Sequence, residues 1–165
     1  MTQKSEAQIL AHCFENTRQL TRFYLSKLKD TDMRKEFEIE GTKLNSAYWL
    51  TGHLVWAEYF LVLKVLKGPK IDIPWIKRFG FGTPLEGDDL PDLKEIFATW
   101  KNVHQLVMEH ISSIKDEELD DENELGVAFG DDKTKRMIIH HVIRHEAAHA
   151  GHLGWVAKLN EVHTV

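Results

Sequence analysis

Apolar positions recur along most of this chain at three- and four-residue steps, the spacing that puts side chains on one face of an α-helix. Leu10, Cys13, Thr17, Leu20, Tyr24 and Leu28 form the first such stripe. Ser5, with Gln8 three residues on, supplies a capping box, so a helix is expected over about Glu6 to Leu28. A second is expected over about Ser46 to Leu66, capped by Asn45 and ended before Gly68. Its stripe is Trp49, Leu50, Trp56, Ala57 and Phe60. Leu93, Ile96, Trp100, Val103, Val107, Ile111 and Ile114 define a third helix, which starts near Pro91-Asp92 with Asp92 and Glu95 as a capping pair. A fourth runs from about Lys133 to Asn160, led by Asp131 and Asp132, whose charges suit a helix N-terminus.

The helix breakers are confined to one place. All four prolines (Pro69, Pro74, Pro84, Pro91), together with Gly68, Gly80, Gly82 and Gly87, fall between positions 68 and 91. One long connection, Gly68 to Leu90, is therefore expected between the second and third helices. Trp75, Ile76, Phe79 and Phe81 predict that it lies packed on the helices. The acidic run Asp116 to Glu124 reads as a solvated loop, and no convincing strand pair is present. The expectation is an all-α fold: one domain, residues 1–165, forming an antiparallel four-helix bundle with one long crossover connection between helices 2 and 3.

Composition narrows the function classes. At 165 residues and 42% hydrophobic content, the chain can bury a sizeable core. A net charge of -5 argues against a nucleic-acid surface and against a basic membrane-binding helix. The apolar stretches are interrupted by His, Glu or Lys, so none is expected to span a membrane. Met1 to Glu6 carries no apolar signal core, and a cytoplasmic location is the expectation. A single cysteine, Cys13, leaves no partner for an intrachain disulfide and excludes a cysteine-based metal site. Its position on the first stripe predicts a small buried hydrophobe.

The candidate chemistry lies in the histidines. Five of the ten fall between His140 and His152. Four residues advance a helix by about 400°, so His141, His145 and His149 form a column, which His152 continues. His140 points elsewhere. Ile138, Val142 and Val156 share the stripe, so the column faces the core. His53 sits likewise among Leu50, Trp56 and Ala57. A buried imidazole needs partners for both nitrogens, and a metal ion satisfies one nitrogen of each ring. The plainer alternative is a set of hydrogen-bonded core histidines. His12, His110 and His163 read as ordinary polar positions, and His104 lies near the core stripe of the third helix. Gly52, Gly151 and Gly154 sit beside these histidines within helices, where glycine costs about 1 kcal/mol against alanine. They predict either close backbone approach or tight helix packing.

His145-Glu146-Ala147-Ala148-His149 also fits the zinc-peptidase pattern H-E-x-x-H, with Glu146 as general base. The metzincin continuation needs glycine at 152 and histidine at 155, where this chain has His152 and Trp155. Glu146 lies about 100° around the helix from His145, where it would cap the edge of the site or pair with a Lys or Arg.

Three segments together resemble the DinB-like superfamily, which includes YfiT-type proteins, over nearly the whole chain. They are Asn45-Ser46-Ala47-Tyr48-Trp49-Leu50-Thr51-Gly52-His53, Leu90-Pro91-Asp92-Leu93, and the run from His141 to His152. The last is similar to the family's H-x-x-x-H-x-x-x-H-x-G-Q run. The resemblance implies a four-helix bundle holding a metal through His53, His145 and His149, with His141 a frequent family histidine that is not usually a ligand. Two departures, Ala150 and His152 where the family often has Arg and Gln, put the substrate-facing shell in question. His152 becomes a candidate extra ligand or proton carrier. The resemblance also implies a homodimer, toward which Trp75 and Phe81, taken as exposed, point, and a low-molecular-weight thiol as a possible co-substrate.

Three imidazoles leave open positions on an ion, the pattern of a catalytic site. The expectation is a divalent-metal-dependent hydrolase or thiol transferase acting on a small molecule, with zinc or nickel as the metal and His152 and Glu146 as catalytic candidates. The alternatives are a non-catalytic metal-binding or stress-associated interaction protein, and a bundle with no metal.

Overall fold

The computed structural model describes residues 4–85, 87 and 89–164. The reading of Met1 to Gln3 lies outside them. The described residues are mostly helical, with four long helices and one small two-stranded sheet, and no helix among them is long and apolar enough to cross a membrane. α1 (Glu6–Leu28) carries the expected capping box: Gln8 N donates to Ser5 Oγ and Ser5 N to Gln8 Oε1. α2 (Ala47–Glu58) is capped by Ser46, not Asn45; its Oγ accepts from Trp49 N at 3.2 Å. The helical path continues through a π-helical segment, Tyr59–Lys64, whose wider turn bonds Val65 N to Phe60 O. α3 (Leu93–Ser113) is capped by Asp92, while Glu95 turns instead to accept from Trp75 Nε1 at 2.9 Å. α4 (Lys135–Leu159) is capped by Thr134, and Asp132 in turn holds Thr134 N and Oγ1.

The expectation of no strands is corrected by a hairpin between α1 and α2, β1 (Phe37–Ile39) against β2 (Thr42–Leu44). Its turn residues Glu40 and Gly41 both have positive φ, 49° and 79°, as a two-residue turn matched to strand twist requires. The strands are three residues long and mostly exposed, too short to impose an alternating pattern on the sequence.

α1 and α2 each lie against both α3 and α4. Cross-helix pairs fix the directions. Glu6 meets Arg136, Arg18 meets Glu146 and Tyr24 lies over Gly154, so α1 and α4 run the same way. Phe14 meets His104 and Arg18 meets Trp100, so α3 runs against α1. Tyr48 reaches Pro91, Glu58 meets Trp100 and Leu66 meets His110, so α2 and α3 are parallel. Antiparallel packing thus does not hold for every neighbouring pair. Parallel α2 and α3 require a connection that returns the length of the helices, which is what residues 68–90 do. Trp75, Ile76 and Phe79 of that connection are buried, as expected, but buried Trp75 is not the exposed surface residue that the dimer expectation used.

The buried face of α1 is Ala7, Ala11, Phe14, Arg18, Thr21, Leu25 and Leu28, with Leu10 beside it. That is a heptad-like stripe offset by one residue from the stripe read through Cys13, Thr17, Leu20 and Tyr24. Cys13 is exposed and Leu20 is 45% exposed. Burying Phe14 and Leu25 removes more apolar area than burying Cys13 and Tyr24's half-wet ring. The buried stripe was disguised because a charged residue, Arg18, occupies its centre. The acidic segment is also more than a solvated loop. Asp116 accepts from the N–H groups of Glu6 and Ala7 at the N-terminus of α1, Leu119 is fully buried, and Asn123 ties the loop to Val127 and Lys133.

Candidate metal centre

His53 is 3% exposed and stands in α2 between two indoles four residues before and three after it. Trp49 stacks on its ring at 4.5 Å between centroids and Trp56 at 5.3 Å, so the helix repeat itself holds the imidazole in plane. Its Nδ1–H donates to the Phe79 carbonyl oxygen at 2.8 Å. That bond puts the proton on Nδ1 and leaves Nε2 as a lone pair facing α4. Gly52 makes the approach possible: a Cβ there would lie 2.6 Å from Phe79 Cγ and closer still to the edge of the ring.

His145 and His149, one turn apart on α4, meet this lone pair. His145 Nε2 lies 3.2 Å from His53 Nε2 and 3.2 Å from His149 Nε2, and the three donor atoms all lie within 4.8 Å of one another. Adjacent ligands of a tetrahedral ion with ~2.0–2.1 Å bonds sit roughly 3.3 Å apart, so the spacing fits such an ion. Burial pushes the His53 pKa down, and the bond to Phe79 only partly opposes it. Burial and the neighbouring imidazoles push His145 down to about 3 and His149 down to about 4. The three rings are therefore neutral at physiological pH and present nitrogens to one point. One shared proton on His145 can satisfy only one contact, whereas a cation satisfies all three. His145 Nδ1 is buried without a partner, so no hydrogen bond there opposes a lone pair at Nε2.

The site opens into a cavity of about 550 Å³ whose walls include Trp49, Trp56, Phe60, Phe81 and Phe129. His141 lines it without joining the trio. Its Nδ1 accepts from Arg144 Nε at 3.1 Å and its ring stacks on Phe129, and burial and the Arg144 charge push its pKa down to about 4. His152 is exposed and contacts the outer nitrogen of His149, Nδ1 to Nδ1 at 3.2 Å, so it stands behind the trio and not within it.

Glu146 does not face the cluster. Its Oε1 accepts from Arg18 Nε at 2.8 Å and Thr21 Oγ1 at 2.5 Å, on the opposite flank of α4. A carboxylate locked there is not available as the general base of an H-E-x-x-H site, and the pairing with an arginine is the one that holds. Glu58 is the acidic residue that the sequence reading missed. It is 1% exposed and accepts from Arg18 Nη2, Trp100 Nε1 and His104 Nδ1. His104 Nε2 bonds onward to Glu15 at 2.6 Å, and so does not reach the metal cluster. The chain Glu146–Arg18–Glu58–His104–Glu15 joins α4, α1, α2 and α3 through partners up to 128 positions apart. Only Glu58 in the apolar run of α2 and Arg18 between Phe14 and Thr21 hinted at it locally.

Histidines from two helices, a cavity beside them and the segment around Gly52-His53 coincide with a family match: the family model described as "DinB superfamily" matches residues 13–153. The chain belongs to the DinB superfamily. No curated protein matches it. Membership agrees with what the geometry shows, that His53, His145 and His149 can hold a divalent metal. In this DinB protein the trio lies at the edge of the packed helices, where α2 and α4 meet, open to the aromatic cavity.

Proposed function

We propose that this protein is a metal-dependent enzyme, a hydrolase or a low-molecular-weight-thiol transferase, built on a four-helix bundle with the crossover between α2 and α3. The observation that carries the reading is the convergence of three neutral Nε2 atoms beside an open cavity, with the tautomer of His53 fixed by the Phe79 carbonyl. A bound zinc or nickel ion would supply Lewis acidity to a water or thiol at this site.

The remaining work falls to the chain's own side chains. Trp49, Trp56, Phe60 and Phe129 exclude water and favour an apolar substrate body. Arg144 occupies Nδ1 of neutral His141, so the ring proton sits on Nε2, where it can donate to a substrate oxygen. His152 orients His149 from behind through the outer nitrogen. A homodimer is part of the proposal; light scattering giving only the monomer mass would remove it.

Metal analysis of untagged protein is the decisive experiment. Near-stoichiometric zinc or nickel is expected, with the content falling in His53→Ala and in His145→Ala. Unchanged content in His53→Ala would show that the ligand set is wrong. Hydrolase and thiol-transferase assays on a panel of small electrophiles then separate enzyme from carrier. If the loaded protein turns over nothing faster than the triple-alanine variant, the non-catalytic reading stands.

A further inference from the structure

A second cavity, of about 540 Å³, opens between α1 and α3 and shares no lining residue with the metal centre. Its apolar walls are Leu25, Phe97 and Trp100. Its formally charged lining is entirely cationic, Arg18, Arg22, Lys29 and Lys101, in a chain whose net charge is -5. Arg22 is paired with Glu15, and Lys29 lies a loose 3.9 Å from Asp30. Lys101 makes no ion pair among the described residues.

The floor is more specific. Arg18 is 1% exposed, lies 4.0 Å over the Trp100 ring, and gives Nε and Nη2 to Glu146 and Glu58. Its Nη1 has no hydrogen-bond partner among the described residues and is not one of their fully sealed polar atoms, and Arg18 lines this cavity. A buried guanidinium with a spare donor beneath an apolar slot, the unpaired ammonium of Lys101 and the loosely paired one of Lys29 on the rim match one ligand chemistry.

We propose that this cavity is a second ligand site, for a small amphipathic anion whose apolar body lies against Leu25, Phe97 and Trp100 and whose acidic head meets the cationic lining. Arg18 already has its counter-charges in Glu58 and Glu146, so the charge preference falls to the rim: a neutral alcohol leaves Lys101 without a counter-charge, and an organic cation is repelled by Lys29 and Lys101.

Sodium octanoate is the probe, with 1-octanol and octyltrimethylammonium as controls, followed by NMR of the full-length protein at the Leu25 methyls and the Trp100 indole. Octanoate is expected to shift these signals saturably, at least tenfold more tightly than octanol, and more weakly as salt rises. Lys29→Glu/Lys101→Glu, at two exposed positions, should weaken it at least tenfold. His53→Ala should leave it unchanged, which separates this site from the metal centre. Equal binding of octanoate and octanol, no response to the charge reversal or to salt, or shifts at Trp49 and Trp56 instead would each overturn the proposal. So would a doubled mass with the Leu25 signals already protected before any octanoate is added, since a second copy of the chain would then be the occupant.

Discussion

Replacing Gly52 with alanine tests whether the loop carbonyl holds the metal ligand. Alanine in a helix interior gains about 1 kcal/mol over glycine. Here the new Cβ would stand 2.6 Å from Phe79 Cγ and nearer to the ring edge, where carbon atoms normally rest ~3.5–4.0 Å apart. The ring would have to retreat by roughly 1 Å or more. It is fully buried, with Tyr48 and Trp75 edge-on to it at 5.6 and 5.5 Å, so it has no free space. Overpacking of this kind costs ~1–3 kcal/mol, and its upper range applies to so close a contact. Net destabilisation of about 1–2 kcal/mol is expected, a fall of ~2–8 °C in the midpoint for a chain of this size. Moving Phe79 also moves the oxygen that orients His53, and losing such a partner costs ~10–100-fold in metal affinity. Circular dichroism melting of the metal-free protein reads the first effect and calorimetric zinc titration the second. Gly151→Ala is the control: a Cβ there meets nothing within 4 Å, so stability should rise by up to about 1 kcal/mol with zinc affinity unchanged. A Gly52→Ala protein that melts no lower than wild type and binds zinc equally well would refute the close fit and the role of the carbonyl together.

The buried ion cluster makes two further predictions. Arg18→Met leaves Glu58 and Glu146 buried without their shared cation, and should cost ~3–5 kcal/mol in urea unfolding; a loss under 1 kcal/mol would mean the cluster contributes little. Burial opposes ionisation of Glu58, but the Arg18 charge and the His104 hydrogen bond outweigh it and hold the carboxyl below its ordinary 4.5. Its ionised form therefore stabilises the fold above about pH 4.5, and that contribution drains away as pH falls through the depressed value. Glu58→Gln should flatten this part of the acid-unfolding curve, and an unchanged curve would assign the acid sensitivity elsewhere.

Sequence and structure part company at definite residues. Helical spacing located all four helices, the Ser5–Gln8 box formed as read, and Asp92 caps α3 without the return bond expected from Glu95, because caps are contacts within three or four residues whereas Glu95 found a distant partner in Trp75. The i, i+4 relation of His145 and His149 is likewise a property of one helix. The Asn45 cap went to Ser46, one residue away, where the hydroxyl reaches Trp49 N. What failed was what a helix by itself leaves open, namely which stripe turns inward and toward what. Cys13 lost to Phe14 because packing chose the larger apolar surface and could bury Arg18 against two distant glutamates.

The amino-acid order by itself determined the helices, the single long connection and the column of imidazoles, since each follows from local spacing and from where prolines and glycines interrupt it. Only the tertiary structure decided that His53 meets His145 across 92 positions, that the Phe79 carbonyl sets its tautomer, and that Glu146 turns to Arg18 instead of to the site. Those contacts join side chains on separate elements, and a local pattern carries no information about which faces will meet until the parallel pairs α1/α4 and α2/α3 have been packed together.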